Sequence, residues 1–345
     1  MKNEIFNIIA NDELCDYFVS SAKSDSLLHA YILLGEKGTG KHTLARFIAT
    51  TANCSCKKIA DTTVPCLSCR SCNAILAGNN PDITVISREK DRATLGVDQI
   101  RFIKEDLAFV PNESDFKIYI IEDAHTMTIQ AQNALLLSLE EPPPYAMFIL
   151  LCEHTETILD TIKSRAPILR MKIPSESEAL EYLKNNFPSA RMFINSSPDE
   201  FRQIYMASKG SIGRILELIG STEKAQILQD RELAQKLIEA IAHRTVAHDF
   251  GLLASMFSQK RDERSKIIAQ LSQIQCALRD LLVIKKADHP SMTFFTDSQY
   301  AEELSYSFSA QQILRIIESS EEARISLLRN SNVKLTITNF LSSLI

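Results

Sequence analysis

Residues 35–43 read Gly-Glu-Lys-Gly-Thr-Gly-Lys-His-Thr, a glycine-rich loop with a lysine near its end. The loop follows an apolar run that ends at Leu34 and precedes a helical pattern that starts at Leu44, so it lies between a strand and a helix. In such loops the backbone N–H groups cradle phosphate oxygens and the lysine adds a positive charge. The stretch therefore predicts a nucleotide-binding P-loop in a parallel α/β sheet.

The P-loop pattern departs from the usual one at a single informative position. His42 stands where a Ser or Thr hydroxyl normally binds Mg²⁺, and a neutral imidazole cannot replace that hydroxyl. We therefore expect ATP or ADP with Mg²⁺ to bind weakly or unproductively. The competing interpretation is a glycine-rich turn with a surface lysine. The residues predicted to contact nucleotide here are Gly35, Gly38, Gly40, Lys41, His42 and Thr43.

A second apolar run, residues 117–121, ends in the acidic pair Glu122-Asp123. In P-loop ATPases this place holds a carboxylate for Mg²⁺ and an acid that orients water. The order here is Glu-Asp rather than Asp-Glu, so the shorter Asp123 is poorly suited to reach an attacking water. The pair is predicted to be a degenerate form of this catalytic motif, with plain solvent-facing acids as the alternative.

The cysteines between these two motifs have the spacing of a metal site. Cys66, Cys69 and Cys72 repeat at Cys-x-x-Cys intervals, and Cys54 and Cys56 lie upstream of them. Four thiolates suit a structural, tetrahedral zinc site, whereas disulfides are the alternative in an oxidising compartment. The spacing predicts Zn²⁺ bound by Cys54, Cys66, Cys69 and Cys72, with Cys54 and Cys56 competing for the fourth position.

Composition places the chain among ordinary globular proteins. Of 345 residues, 45% are hydrophobic and 23% charged, the net charge is −5, and no continuous apolar run is long enough to cross a bilayer. The N-terminal stretch carries acids within its apolar part and no small-residue cleavage site, which argues against a secretory signal. We expect a cytoplasmic protein without membrane contact, whose nucleic-acid contacts depend on local basic surface or on partners.

The pattern along the chain changes from mixed to helical. Apolar stretches separated by helical patterns predict strands at residues 30–34, 82–86, 117–121 and 146–151. From Ser175 onward the chain is helical, with amphipathic patterns at residues 230–241, 265–285 and 310–329. The expected fold class is α/β plus all-α.

One arginine is a candidate for catalysis in a second subunit. Arg165 follows the last predicted strand and a helix-like pattern at residues 156–162. An arginine at the edge of such a domain can project into a neighbour's nucleotide site and stabilise charge on the γ-phosphate. By itself a Ser-Arg dipeptide carries no such signal, because a lone arginine is usually solvated or ion-paired.

Further short motifs accompany these features along the whole chain: His29-Ala-Tyr-Ile-Leu-Leu-Gly35, the cysteine module, Asn80-Pro-Asp82, Val97-Asp-Gln-Ile-Arg101, the stretch from Asn133 to Pro143, Ser164-Arg165 and Gly210-Ser-Ile-Gly-Arg214. In this order they resemble the clamp-loader subunits of bacterial DNA polymerase III, which belong to the AAA+ family, and among them the delta-prime subunits. The resemblance adds Arg214, in the region that resembles sensor 2, to the residues expected to contact nucleotide.

The resemblance implies a domain organisation and a set of partners. It implies an AAA+ P-loop domain at residues 1–170 with a zinc module at 54–72, a small helical lid at 171–220 and a helical collar for oligomerisation at 221–345. Expected partners are gamma/tau and delta subunits, the sliding clamp, and primed DNA within the assembled ring. Arg165 would be an arginine finger acting in trans on a gamma/tau subunit.

The eroded nucleotide site separates two roles within that family. A delta-prime-like stator with weak or absent ATPase is expected from His42, from the order of Glu122 and Asp123, and from Gly213 where ATPase relatives carry an arginine. The alternative is a gamma/tau-like ATPase motor, in which Lys41, Thr43 and Glu122 would still support turnover. A third interpretation treats the cysteine module as a docking element, but it has too few basic residues to bind DNA alone.

Overall fold

The computed structural model describes residues 6–89, 92, 94–221, 223–257, 264–286, 292–329 and 331–344. The first residues of the N-terminal stretch discussed above lie outside these ranges. The chain forms two compact units: one comprises the chain up to Tyr182 together with Ser211–Arg214, and the other comprises Leu183–Gly210 and the chain from Ile215 on. The three-domain division at residues 170 and 220 stays a prediction.

The first unit alternates strands with helices. Its elements are α1 (Asp12–Lys23), β1 (Ala30–Leu34), α2 (Lys41–Ala52), α3 (Arg70–Leu76), β2 (Ile83–Ile86), α4 (Val97–Asp106), β3 (Lys117–Ile121), a 3-10 turn (Ala124–Thr126), α5 (Ile129–Glu140), β4 (Ala146–Cys152), α6 (Asp160–Lys163), β5 (Ile168–Arg170) and α7 (Glu176–Asn186), whose last turn runs into the second unit. The strands form one five-stranded sheet in the order β2-β3-β4-β1-β5.

Every strand pair in this sheet is parallel. The three central strands β1, β3 and β4 are buried along their whole length, as expected when helices cover both faces. Tyr31 and Leu33 point into the core shared with α1 and α2, whereas Ala30, Ile32 and Leu34 point into the core shared with α4 and α5. The apolar runs read from the sequence are therefore continuous because both faces need them.

The predicted strands are confirmed to within one residue at their ends, and one strand was missed. β5 has three residues and alternates exposed with half-buried positions, so it carries no apolar run. Among the residues that the structure describes it pairs with β1 alone, through Ile32↔Ile168 and the two pairs that follow. The helix predicted at residues 156–162 is confirmed only for its last three residues, because α6 comprises Asp160–Lys163. Residues 156–159 form a turn instead, with the Ile158 N–H donating to Thr155 O at 3.1 Å.

The second unit is helical. Its elements are α8 (Pro188–Ser196), α9 (Pro198–Ala207), α10 (Ile212–Ile219), whose first turn belongs to the first unit, α11 (Glu223–Ala242), α12 (Val246–Met256), α13 (Arg264–Lys286), α14 (Ser298–Tyr306), α15 (Ala310–Leu328) and α16 (Val333–Ser342). The helices α11, α13 and α15 confirm the amphipathic patterns predicted at 230–241, 265–285 and 310–329. They share one apolar core.

Among the described residues, Lys266–Lys286 of α13 is a segment that by length and composition could cross a membrane. The segment is apolar because it packs in the core of this unit, which explains its composition without a membrane. Ile267, Leu271 and Leu281 lie in the core, fully buried. Asp280 in the same helix is fully buried and accepts N–H hydrogen bonds from Thr293, Phe294 and Phe295. The segment is therefore the central helix of a helical bundle.

Candidate functional site

The P-loop connects β1 to α2, as its sequence predicts. Gly38 has φ of +79° and Gly40 has φ of +91°, a left-handed backbone that glycine adopts without steric cost. A Cβ on Gly38 would also lie 2.7 Å from the backbone nitrogen of Arg214. The glycines at 38 and 40 are thus required by backbone conformation, and the one at 38 also by the close approach of a second segment.

That second segment is Ser211–Arg214, which packs on the loop as part of the same unit. The Ser211 hydroxyl donates to Lys37 O at 2.6 Å, and the Gly213 N–H donates to Gly38 O at 2.9 Å. A Cβ at Gly213 would lie 2.8 Å from the Gly38 Cα. The absence of a side chain at residue 213 is therefore what lets this segment approach the loop so closely.

The P-loop lysine is turned toward its own loop. Lys41 is 7% exposed, and its Nζ donates to Gly35 O at 2.6 Å and to Glu36 O at 2.9 Å. Burial lowers the pKa of Lys41, against the opposing effect of the nearby charges of Glu153 and Asp123. Two of the three N–H donors of this ammonium group are therefore directed at its own loop.

The next residue contacts the acidic motif. The His42 Nδ1 lies 3.2 Å from Glu122 Oε1, with 58% of the histidine side chain and 29% of the glutamate side chain exposed. Glu122 follows β3, and its N–H donates to Ile86 O at the end of β2. The imidazole thus occupies the space between the start of α2 and the strand end where a P-loop enzyme holds its metal. Thr43, in the same helical turn, is half-buried.

The second acid is also engaged. Asp123 has φ of +46°, and its Oδ2 accepts a hydrogen bond from Arg88 Nη2 at 2.7 Å. His125, in the turn that follows, packs edge-on against His154 with ring centroids 4.7 Å apart. Both acids of the degenerate motif therefore have a basic partner within the chain. Arg88 was not among the sequence candidates, although it lies two residues beyond β2, the strand that neighbours β3.

Four of the cysteines form a compact cluster at the other end of α2. The sulfur atoms of Cys54, Cys66, Cys69 and Cys72 all lie within 4.8 Å of one another. A zinc ion with Zn–S bonds of about 2.3 Å needs sulfurs roughly 3.8 Å apart, so modest adjustment suffices. The spacing alone left Cys54 and Cys56 as alternatives, and the geometry groups Cys54 with the other three.

The backbone around the cluster is arranged for thiolates. The N–H groups of Cys66, Cys69 and Cys72 point at the sulfurs of Cys54, Cys66 and Cys69, each at 3.4 Å. Burial opposes ionisation of Cys66, but hydrogen bonds from the N–H groups and side chains of Ser68 and Cys69 outweigh it and lower its pKa to about 5. Burial raises the pKa of Cys54 and of Cys72, which a bound metal ion would have to offset. Hydrogen bonds that favour the anionic sulfur are what a metal-binding loop requires.

The predicted finger residue lies apart from these groups, just after α6. Arg165 is 35% exposed at its side chain, and its Nη2 lies 3.1 Å from Glu140 Oε1 at the end of α5. The Nη1 donates to Thr161 O at 3.0 Å and to Ser164 Oγ at 3.4 Å. The guanidinium group therefore lies on the surface of its own domain. Glu140 lies in the motif from Asn133 to Pro143, but the sequence did not predict that it pairs with Arg165.

Another motif in the sequence proves to be structural. Asp82 follows the proline of Asn80-Pro-Asp82 and is fully buried. Its carboxylate accepts the backbone N–H groups of Asn112, Glu113 and Ser114 at 2.7 to 3.0 Å. The motif therefore fixes the loop between α4 and β3, at the end of the sheet opposite the P-loop.

Comparison with known proteins agrees with this arrangement. A family model described as DNA polymerase III, delta subunit, matches residues 10–175. The DNA polymerase III subunit delta' of Bacillus subtilis is 28% identical over 306 residues, 88% of this chain and 87% of that protein. The delta' subunit of Haemophilus influenzae is 26% identical over 92% of this chain and 90% of its own length.

A gamma subunit is also similar. The DNA polymerase III subunit gamma of Buchnera aphidicola from Schizaphis graminum is 31% identical over 266 residues, 74% of this chain and 68% of that protein. The delta' relatives therefore align over more of both chains, whereas the gamma relative has slightly higher identity over a shorter stretch. The chain belongs to the family of DNA polymerase III clamp-loader subunits, and within it to the delta-prime members.

Proposed function

We propose that this chain is the delta-prime-like stator of a DNA polymerase III clamp loader, which assists ATP-dependent loading of the sliding clamp on primed DNA. The observation that carries the proposal is the state of its own nucleotide site. Lys41 donates to two carbonyl groups of the P-loop, and His42 lies against Glu122. A subunit whose P-loop is engaged in this way serves the ring through its structure rather than through turnover.

Three features of this site oppose a reaction with Mg²⁺–ATP. The Lys41 ammonium directs two of its three N–H donors at the carbonyls of Gly35 and Glu36, and Arg88 holds Asp123. The His42 ring would still offer no hydroxyl to the metal. A phosphate gains less binding free energy from a lysine whose donors already have partners. The three features therefore act in the same direction. They disfavour a gamma/tau-like motor.

The contribution to catalysis would then be made in trans. Arg165 is partly exposed on a domain surface, and an arginine supplied by one subunit can stabilise the charge that develops on a neighbour's γ-phosphate. The neighbour in this proposal is a gamma/tau subunit. The delta subunit completes the ring. The residues of this chain from 221 on form its part of the collar that holds the subunits together. A complex that loads clamps onto replicating bacterial DNA would work in the cytoplasm.

The cysteine cluster fits a structural zinc ion. Its four thiols would close the coordination sphere, which leaves no position for substrate. The helix α2 separates the cluster from the P-loop by twelve residues, roughly 18 Å. When bound, the ion would tie residues 54–72 together and hold α3 against the end of α2. A role in ATP chemistry is not required of it.

Steady-state ATPase measurements test the stator assignment. The purified chain should hydrolyse ATP at the background rate, with or without primed DNA and clamp. A complex reconstituted from this chain, gamma/tau and delta should hydrolyse ATP when DNA and clamp are added, and Lys41→Ala in this chain should leave that rate unchanged. Turnover by the isolated chain at about 1 per second, an ordinary enzymatic rate, would instead assign it as a motor.

A further inference from the structure

The contact between Arg165 and Glu140 joins two elements that are fixed in the same core. Glu140 is the last residue of α5, which is anchored through the buried side chains of Leu135 and Leu139. Arg165 lies between Ile162 and Ala166, and all four of these apolar residues belong to the core on one face of the sheet. The backbone positions from which the carboxylate and the guanidinium group extend are therefore fixed by packing.

The hydrogen bonds of Arg165 leave two of its N–H donors available. Arginine has five N–H donors. Both donors of Nη1 are directed at Thr161 O and Ser164 Oγ, and one donor of Nη2 is directed at Glu140. Within the part of the chain that the structure describes, one N–H of Nη2 and the N–H of Nε remain without a partner. Two donors are what a bidentate contact with a phosphate uses.

The strength of the Glu140 contact suits a residue that orders Arg165 without trapping it. The two side chains are 35% and 47% exposed, and an ion pair of that exposure contributes at most about 1 kcal/mol. A free arginine side chain loses about 2 kcal/mol of rotamer freedom when it is fixed. Ordering it beforehand therefore removes part of the cost of meeting a phosphate, while solvent keeps the pair weak enough to adjust.

On the basis of the trans-acting role proposed above for Arg165, we propose that Glu140 is a positioning residue that orients this arginine toward the γ-phosphate in an adjacent ATPase subunit. In this proposal Glu140 itself does not contact the phosphate, since its carboxylate and the phosphate are both negatively charged and would repel each other. Its effect is exerted through the side-chain conformation of Arg165. The benefit appears when charge develops in the reaction and not when ATP first binds.

The test uses the complete clamp loader reconstituted with variants of this chain. Glu140→Gln keeps the size of the side chain and removes its charge. We expect the DNA- and clamp-stimulated kcat to fall about two- to fivefold, the range an exposed ion pair allows, with the KM for ATP unchanged. Glu140→Asp should retain an intermediate kcat. Glu141→Gln is the matched control, because Glu141 is the adjacent acid, is exposed and makes no ion pair among the described residues. It should behave as wild type.

A double variant separates this proposal from the finger assignment on which it rests. In the Arg165→Ala background, Glu140→Gln should produce no further loss, because its effect passes through the arginine. An unchanged or higher kcat for Glu140→Gln, in an assembled ring where Arg165→Ala lowers the rate, overturns the positioning role alone. Equal losses in both backgrounds overturn it too. If Arg165→Ala itself has no effect, the trans-acting role fails and the failure lies in the proposed function.

Discussion

His42 Nδ1 lies 3.2 Å from Glu122 Oε1, which joins the start of the P-loop helix to the acid at the end of β3. In P-loop ATPases these two places hold the ligands of Mg²⁺, one directly through a hydroxyl and one through a carboxylate. Here they contact each other. The departure from the P-loop pattern at residue 42 therefore does more than remove a metal ligand, because it also supplies a partner to the remaining acid.

We expect His42→Thr to increase affinity for Mg²⁺–ATP. The substitution supplies the missing hydroxyl and frees Glu122, while the loop and Lys41 stay unchanged. A gain of about 1.4 kcal/mol, within the worth of one metal contact, would be a tenfold lower Kd. Isothermal titration calorimetry with and without Mg²⁺ measures it. The gain should depend on the metal.

The matched control for that experiment is His248→Thr in the second unit. His248 is also an exposed histidine paired with an acid, since its Nδ1 lies 2.8 Å from Asp249 Oδ1. The control should leave nucleotide affinity at the wild-type value. Equal Kd values for His42→Thr and the wild type would show that the contact between residues 42 and 122 does not limit binding.

One zinc ion per chain is expected. Elemental analysis of protein purified without chelators should give a 1:1 ratio, and Cys69→Ser should lose the metal. Removal of zinc by a chelator should lower the melting temperature by several degrees, since about 1 kcal/mol corresponds to 2–4 °C in a domain of this size. A metal-free protein with the same melting temperature would contradict the assignment.

Cys56 provides a direct comparison for the fourth ligand. Its thiol interacts with that of Cys66, and this contact is the main reason why its pKa is raised to about 11. It is not among the four sulfurs that lie within 4.8 Å of one another. We expect Cys56→Ser to keep full zinc content and Cys54→Ser to lose it. The opposite pattern would exchange the two residues.

The sequence was sufficient to predict those structural features that one local pattern of residues determines. The strands β1, β3 and β4 are apolar because both faces are covered, and the P-loop needs its glycines for left-handed backbone. Contacts and strands that depend on pairing between distant segments could not be predicted from a local pattern. Arg88 meets Asp123 only because β2 and β3 are neighbours in the sheet. The three-residue β5 has no buried apolar run, and its place in the sheet comes from its pairing with β1.

Asp82→Ala is expected to destabilise the first unit. The substitution leaves the half-buried N–H groups of Asn112, Glu113 and Ser114 without their acceptor. Since each buried unsatisfied donor costs about 1–3 kcal/mol, a loss of roughly 2–4 kcal/mol is expected after partial rehydration. Chemical denaturation measures it. Asp98→Ala is the control, because that side chain is 83% exposed, and it should change stability by less than about 0.5 kcal/mol. Similar losses for both variants would contradict the anchoring role of Asp82.

Arg165→Ala should leave this subunit folded and weaken catalysis in its neighbour. The arginine is partly exposed, so its loss should alter the melting temperature little. A finger supplied in trans is worth roughly a thousandfold in GTPases, and other working sites in the ring would reduce the observed effect to a severalfold fall in stimulated ATPase and clamp loading. Gel filtration should show an intact ring. Arg191→Ala, an arginine hydrogen-bonded to Lys184 O in the second unit, serves as control and should retain full activity. If the Arg165 variant also retained full activity in an intact ring, Arg165 would be an ordinary surface side chain.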